Sequence, residues 1–461
     1  MIRRKIKKII GITTLSTMML SSTSIYAVSN PILNRLTDAN ASLNTQHVYD
    51  FLASLESCAR DDYCNHKTVI GEHEELQQEV YNAANYGDQA LHMMATNSSY
   101  PPGYYYNKSY YLSKKLPAFL ELDMGPGWYQ SDWGAFQPRT YDQKWQSGIY
   151  NWKYVDYVLD LAMNVWKGYP RGRDYSYNYM QQADPSFYCQ SESCVTPQFD
   201  YPHNGGTAAG LIGFSFHEPY PGAPKKSFQN TQLKSLPTEY GQGNNNDFLK
   251  KVVDWQDKTP EYESLLKDLS YLADQLSYLA KFNVPVLLRL YHEMNVPKSQ
   301  SNPFWWAGDP SDYKALWIIA YDYLVKTRGL HNLIFVWAPL AWGDGYATDP
   351  DAYYPGSQYV DIVAVDDYVT SPPPQYYYDY LQKYNKPRMM AETYSVPIGE
   401  NDRDELSASP WVIWSVWGQG LTSQNSAQDV DDTYNNAKVY TGGAYDSQFK
   451  PNYDWGRLHG E

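Results

Sequence analysis

Two glutamates stand at the ends of apolar runs. Glu293 closes the stretch Val284-Pro285-Val286-Leu287-Leu288-Arg289-Leu290-Tyr291-His292, and Glu392 closes Lys386-Pro387-Arg388-Met389-Met390-Ala391. Runs this short cannot cross a membrane. They read instead as strands buried on both faces of a parallel sheet, with polar groups at the carboxyl end, where α/β folds keep their ligands. Two carboxyls facing one cleft are what cleavage of a sugar–sugar bond requires: one protonated to help the leaving oxygen, the other ionised to attack, about 5–5.5 Å apart in a retaining enzyme. The competing reading is a pair of rim carboxylates in salt bridges. Tyr291 and His292 beside one acid, and Thr393 and Tyr394 beside the other, favour chemistry, because hydrogen-bonding neighbours can separate two carboxyl pKa values.

The elements that must hold these acids recur along the chain. Strand-like runs occupy Lys67–Gly71, Leu116–Asp123, Leu211–Pro219, Val284–Leu290, Asn332–Trp337, Tyr359–Asp366, Lys386–Glu392 and Trp411–Trp417. Helical periodicity falls at Thr45–Leu55, Glu74–Met94, Trp152–Trp166, Glu261–Lys281, Ser311–Lys326 and Tyr376–Tyr384. About eight alternating strand–helix units in one chain predict a closed (β/α)8 barrel, of the α/β class, without a dividing linker. Long loops at 97–115, 168–209 and 220–254 read as insertions that shape a cleft. Residues 419–461 are polar and are expected to wrap the outside.

At the N-terminus, Arg3, Arg4, Lys5, Lys7 and Lys8 precede a modest apolar core from Ile9 to Leu20 and an Ile25-Tyr26-Ala27 cleavage site. Residues 1–27 therefore read as a signal peptide, leaving 28–461 as a single catalytic domain. Its removal would take the formal charge from -14 to -19. So acidic a body is a poor partner for nucleic acid or anionic lipid. It suits an exported, monomeric protein acting on a neutral substrate. In that setting Cys58 with Cys64, and Cys189 with Cys194, read as two local disulfides; their spacings match no zinc pattern. With 46 Tyr and 15 Trp among 461 residues, the chain has ample aromatic faces to stack on sugars, though most of them should simply cover surface.

The run Arg289-Leu290-Tyr291-His292-Glu293-Met294-Asn295, followed by Phe304-Trp305-Trp306-Ala307-Gly308, resembles the acid/base motif of glycoside hydrolase family 26. That family contains β-mannanases, with some β-1,3-1,4-glucanases and β-1,3-xylanases. Val360 to Tyr368 resembles its sixth-strand segment and Lys386 to Glu392 its nucleophile strand; the similarity runs from about Gln46 to about Tyr440. The resemblance implies a retaining endo-β-glycanase, most readily a β-1,4-mannanase, with no metal and no cofactor. Glu293 would be the acid/base and Glu392 the nucleophile. Tyr368 would hydrogen-bond the nucleophile, and Arg289 in the barrel floor would keep it ionised. His217 and His292 would line the subsite of the attacked sugar, and Trp306 and Trp414 would stack on sugar rings. Each also has a plain structural reading: satisfied core histidines, packing tryptophans (Trp305 among them), a floor ion pair. Asp123 and Glu218 are rim acids without an assigned role. The sequence departs from the family pattern at Val296–Pro303, an insertion after the motif, and at Phe216, where a Trp commonly precedes the third-strand His. The same mechanism on mixed-linkage glucan, xylan or an exopolysaccharide, or a non-hydrolytic sugar-binding barrel, therefore stay open as alternatives.

Overall fold

All eight apolar runs form strands, and all eight run parallel: β1 (Thr68–His73), β2 (Phe119–Asp123), β3 (Leu211–Phe216), β4 (Val286–Leu290), β5 (Leu333–Trp337), β6 (Ile362–Asp367), β7 (Arg388–Thr393) and β8 (Ile413–Trp417). Each pairs with its neighbours in chain order, and β8 pairs with β1 from Val69↔Ile413 to His73↔Trp417, which closes the sheet into a barrel. The computed structural model describes residues 35–61, 63–74, 108–109, 112–125, 159, 162–163, 165–166, 210–224, 226, 228–240, 247–369, 373–399, 403–442 and 451–460. Residues 33–461 belong to one compact unit. The leader at 1–27, the Cys189–Cys194 pair, the loop at 168–209, nearly all of the helix expected at 74–94, much of the loop at 97–115 and much of the helix expected at 152–166 lie outside the described residues.

The barrel works because each strand alternates. Registers place Gly71, Phe119, Glu121, Gly213, Asp123, Ser215 and Arg289 on one continuous face. Contacts of Arg289 with residues of β2, β6 and β7 show this to be the interior face. The intervening residues, such as Leu120, Leu122, Ile212, Phe214, Leu288 and Leu290, are buried facing outward under the helices. In the floor, the Phe119 ring fills the room left by two glycines: a Cβ on Gly213 would come within 2.4 Å of it and one on Gly71 within 2.7 Å.

Local signals set the helices. In α1 (Leu43–Ala59) the Ser42 hydroxyl caps the first turn by accepting from the Thr45 amide at 3.3 Å. In α2 (Pro260–Lys281) Thr259 caps, Pro260 opens, Glu261 and Glu263 occupy the first turn and Lys281 the last, all complementary to the helix dipole. Leu265, Leu269, Leu272, Leu276 and Leu279 bury one stripe of α2 against the barrel; each contributes about 1.5–3 kcal/mol. Asn283, at φ 53, then turns the chain into β4. Capped by Asp309, α3 (Pro310–Tyr321) is shorter than its periodicity suggests, because residues 322–327 continue as a wider helical turn. After β6 comes α4 (Gln375–Leu381).

Where described, the 220–254 loop consists of single helical turns at Phe228–Thr231, Leu233–Ser235 and Thr238–Tyr240 and a short helix at Phe248–Val252. At the foot of the barrel, Glu56 of α1 pairs with Arg388 of β7 (Oε1 to Nε 2.8 Å), and the Arg388 guanidinium lies 3.6 Å from the Tyr378 ring centroid. A disulfide joins Cys58, in the last turn of α1, to Cys64. The C-terminal stretch does more than wrap: Val439–Tyr440 adds to β1, and Tyr453 and Trp455 pack with Phe51 of α1. Among the described residues, no helix is long and apolar enough to cross a membrane.

Candidate active site

Arg289 is the hub of the barrel mouth. It is 1% exposed, and its three guanidinium nitrogens reach three carboxylates on three other strands: Nε to Glu121 at 2.7 Å, Nη1 to Asp366 at 2.9 Å, and Nη2 to Glu392. The other oxygen of Glu392 accepts from the Tyr368 phenol. Burial alone would push the Glu392 carboxyl up. The Arg289 charge, then His73, the Tyr368 hydrogen bond and His217, outweigh it and hold this acid below the ordinary glutamate range. Burial itself drives His73 down to about 4, so near neutral pH it carries no charge, and Arg289 is the first of the cations that support Glu392.

Glu293 sits differently. It is half-buried, three residues past the end of β4, and its environment pushes it up to about 7: burial contributes most, and the Glu392 charge comes second. Its position is built at the expense of the backbone. Tyr291 and Glu293 both take left-handed φ values, 46 and 55, a conformation that strains a non-glycine residue by about 1–2 kcal/mol. The surroundings fix this turn at every point. The Tyr313 phenol donates to the Tyr291 carbonyl at 3.2 Å, the Trp306 indole to the His292 carbonyl at 2.8 Å, and the Glu293 amide to the Ala338 carbonyl at 2.8 Å. Asn295 ties the same turn to the loop after β5, donating to the Leu340 and Thr348 carbonyls and accepting from the Leu340 amide, each at 2.8 Å.

His217 and His292 meet edge to face, ring nitrogen Nε2 to Nε2 at 3.1 Å. Asp123, unassigned from sequence, grips His217 through Nδ1. The tryptophans divide. Trp306 is fully buried, stacked on Phe304 at 4.4 Å, and braces the His292 backbone. Trp414 is 1% exposed on the outward face of β8 and donates to the Ser395 carbonyl. Among the described residues, Trp417 is a tryptophan that reaches the mouth, half-buried, stacked on His73 at 4.2 Å and 6.1 Å from the Tyr368 ring, which also lies 4.6 Å from the Tyr394 ring. Glu218 is buried behind His217, its carboxyl pushed well up by burial and then by Asp268.

His292, Asp366 and Glu392 offer ligand atoms within 4.8 Å of one another, a spacing that suits a cation. The guanidinium of Arg289 already supplies that cation to both acids.

A (β/α)8 barrel whose mouth holds one carboxyl ionised and a second poised near neutrality is the architecture of a glycoside hydrolase. Residues 174–437, which include Glu293 and Glu392, match the profile of glycosyl hydrolase family 26, and the chain belongs to that family. It is 34% identical over 271 residues to a mannan endo-1,4-beta-mannosidase of Bacillus subtilis (strain 168), covering 54% of this chain and 67% of that one. It is 32% identical over 188 residues to one of Thermothelomyces thermophilus, covering 39% of this chain and 36% of that one. The fold is shared with the β-mannanase of a symbiotic protist of the termite Reticulitermes speratus, solved with a gluco-manno-oligosaccharide (TM-score 0.55, 21% identity, 88% of this chain and 96% of that one). It is also shared with a mannanase of Bacillus subtilis (TM-score 0.53, 20% identity, 88% and 94%).

Proposed function

We propose that this protein is an exported, monomeric retaining endo-β-1,4-mannanase that works by double displacement. The observation that carries the reading is the unequal treatment of two carboxyls at one mouth: Glu392 held ionised between Arg289 and Tyr368, and Glu293 raised to about 7. Glu392 attacks the anomeric carbon while Glu293 gives its proton to the departing glycosidic oxygen. Forming the glycosyl ester removes the Glu392 charge, which is the second cause of the high Glu293 pKa. Glu293 therefore becomes more acidic just when it must take a proton from the incoming water. No metal or cofactor has a part in this scheme. The names of the relatives and the acidic charge of -14 support a neutral mannan as substrate over an anionic polymer. In this reading His292 and His217 border the attacked sugar, and Trp417 takes the stacking place the sequence suggested for Trp414. Trp306 supports His292 from behind.

Replacing Glu293 or Glu392 with Ala should lower kcat on soluble mannan by roughly 10³-fold or more, by analogy with removal of an essential catalytic group, with the thermal transition retained. Azide should restore turnover through a glycosyl azide, of inverted configuration for Glu392→Ala and retained for Glu293→Ala. Normal turnover by either variant would sink the assignment. A panel of mannan, mixed-linkage glucan and xylan read by reducing-sugar release decides the glycan.

A further inference from the structure

The polar chain that leads away from the catalytic acids has a fixed direction. Asp123 accepts from the Ser215 hydroxyl at 2.6 Å, from His217 Nδ1, and from the His217 amide at 3.4 Å. The only proton of Ser215 is thus spent on Asp123, so its oxygen must accept from His73 Nε2, 3.3 Å away. At the other end, His217 Nε2 faces His292 Nε2 at 3.1 Å. Two such nitrogens can bond only if one carries a proton and the other does not. With His292 neutral and His217 already using a proton on Asp123, there are two solutions. Either His217 is neutral and His292 donates from Nε2, leaving His292 Nδ1 as a lone pair. Or His217 is a cation that donates to His292, and His292 carries its own proton on Nδ1. Phe228 and Phe304 pack beside the pair, 5.2 and 5.4 Å from the His217 ring.

We propose that Asp123 is a positioning residue that fixes the second arrangement: His217 and His292 share one cation, and His292 Nδ1 is presented as a hydrogen-bond donor. His292 Nδ1 is buried and has no partner among the described residues, and a ring nitrogen of His292 lies within 4.8 Å of Glu392 and Asp366 oxygens. A donor held there suits a hydroxyl oxygen of the sugar at the reacting centre, a role that rests on the glycanase reading above. The groups facing the pair agree. Burial alone would lower His217, but Asp123 of β2 and then Glu392 of β7 outweigh it and Arg289 of β4, so His217 is raised. Burial, then Arg289, His217 and His73, drive His292 well below its ordinary range. Above the pKa of the shared proton the pair inverts, and the donor at Nδ1 becomes an acceptor.

The test reads the rings without substrate. Long-range ¹H–¹⁵N spectra of ¹⁵N-histidine-labelled protein near pH 6, assigned with His217→Gln and His292→Gln, should show one doubly protonated ring and one neutral ring protonated at Nδ1. Two neutral rings, or a His292 protonated at Nε2, overturn the proposal. Asp123→Asn should abolish the cation in the spectrum. Its kcat/KM on manno-oligosaccharide should lose the alkaline limb roughly 1–3 pH units earlier, the span one close carboxylate gives, with KM changed more than kcat at acid pH. An unaltered spectrum and profile overturn it as well. If Asp123→Asn does not fold, the wild-type spectrum decides alone. If mannan is not hydrolysed but the spectrum is as described, the glycanase reading fails and this one stands.

Discussion

At the level of single side chains, the site depends on how one guanidinium is divided. Arg289 touches Glu121, Asp366 and Glu392, yet burial pushes Glu121 up to about 7 and Asp366 well above its ordinary range, against the lowering by Arg289. Both are therefore harder to ionise than a free carboxyl, whereas the same guanidinium holds Glu392 low. The Tyr368 phenol completes this arrangement from the other side of the carboxylate. Tyr368→Phe removes one hydrogen bond to a charged acceptor, about 1.5–3 kcal/mol, so kcat/KM should drop roughly 10- to 100-fold. The acid limb of the pH–rate profile should also move upward, because an unsupported Glu392 ionises later. A Tyr368→Phe profile with the wild-type acid limb would separate the phenol from the nucleophile's ionisation. Glu392 was legible in the sequence as an acid at a strand end, and Arg289 and Tyr368 only through the resemblance of their segments to the family. Glu121 and Asp366 were not singled out, because an acid near a strand terminus looks the same whether it faces the rim or the floor until the cross-barrel registers are known.

At the level of elements, all eight strands were readable, since strands buried on both faces announce themselves as short apolar runs. The faces were less so. In β8, residues 413, 415 and 417 share one side and 414 and 416 the other. Period-two alternation, applied strictly, puts Trp417 with Ser415 in the interior and sends Trp414 outward, and this is where each lies. Trp306 could not be placed that way, because it belongs to an irregular segment whose packing on Phe304 and His292 is set by tertiary contacts. The floor of the barrel gives a direct test of the inward face. Gly213→Ala drives a methyl against the Phe119 ring, 2.4 Å away, and should destabilise by about 1–3 kcal/mol as overpacking does. Adding Phe119→Leu should recover part of that loss in denaturant melts. If the double variant is no more stable than Gly213→Ala alone, the ring is not what the glycine accommodates.

For the molecule as a whole, the same buried acids that prepare the site bear on its stability across pH. Glu121 and Glu293 are pushed up to about 7, and Asp361, which receives the Phe335 amide at 2.8 Å and the Thr37 amide at 2.7 Å, to about 6, burial being the first cause in each. A carboxyl whose pKa is higher folded than unfolded binds its proton more tightly in the native state. Its contribution is complete below the unfolded pKa, about 4, and is lost as pH rises through the folded value. Asp123 and Glu392, held low, contribute in the opposite sense and lose their share only in acid. Lys386, lowered to about 8 by burial, binds its proton more weakly when folded; its penalty is complete below pH 8 and relaxes only above it. A formal charge of -14 adds self-repulsion as further carboxyls ionise. Thermal stability should therefore peak at about pH 4 and decline towards pH 8, with the steepest loss between about pH 5 and about pH 6, where the unfolded carboxyls are ionised and the folded ones still hold their protons. Glu293→Gln, which keeps the shape without the ionisable proton, should flatten part of that decline and melt higher than the wild type at pH 8 while gaining little at pH 5. Melting curves that rise from pH 5 to pH 8, or a Glu293→Gln variant whose advantage is the same at both pH values, would contradict the neutral-range titration on which the acid role of Glu293 depends.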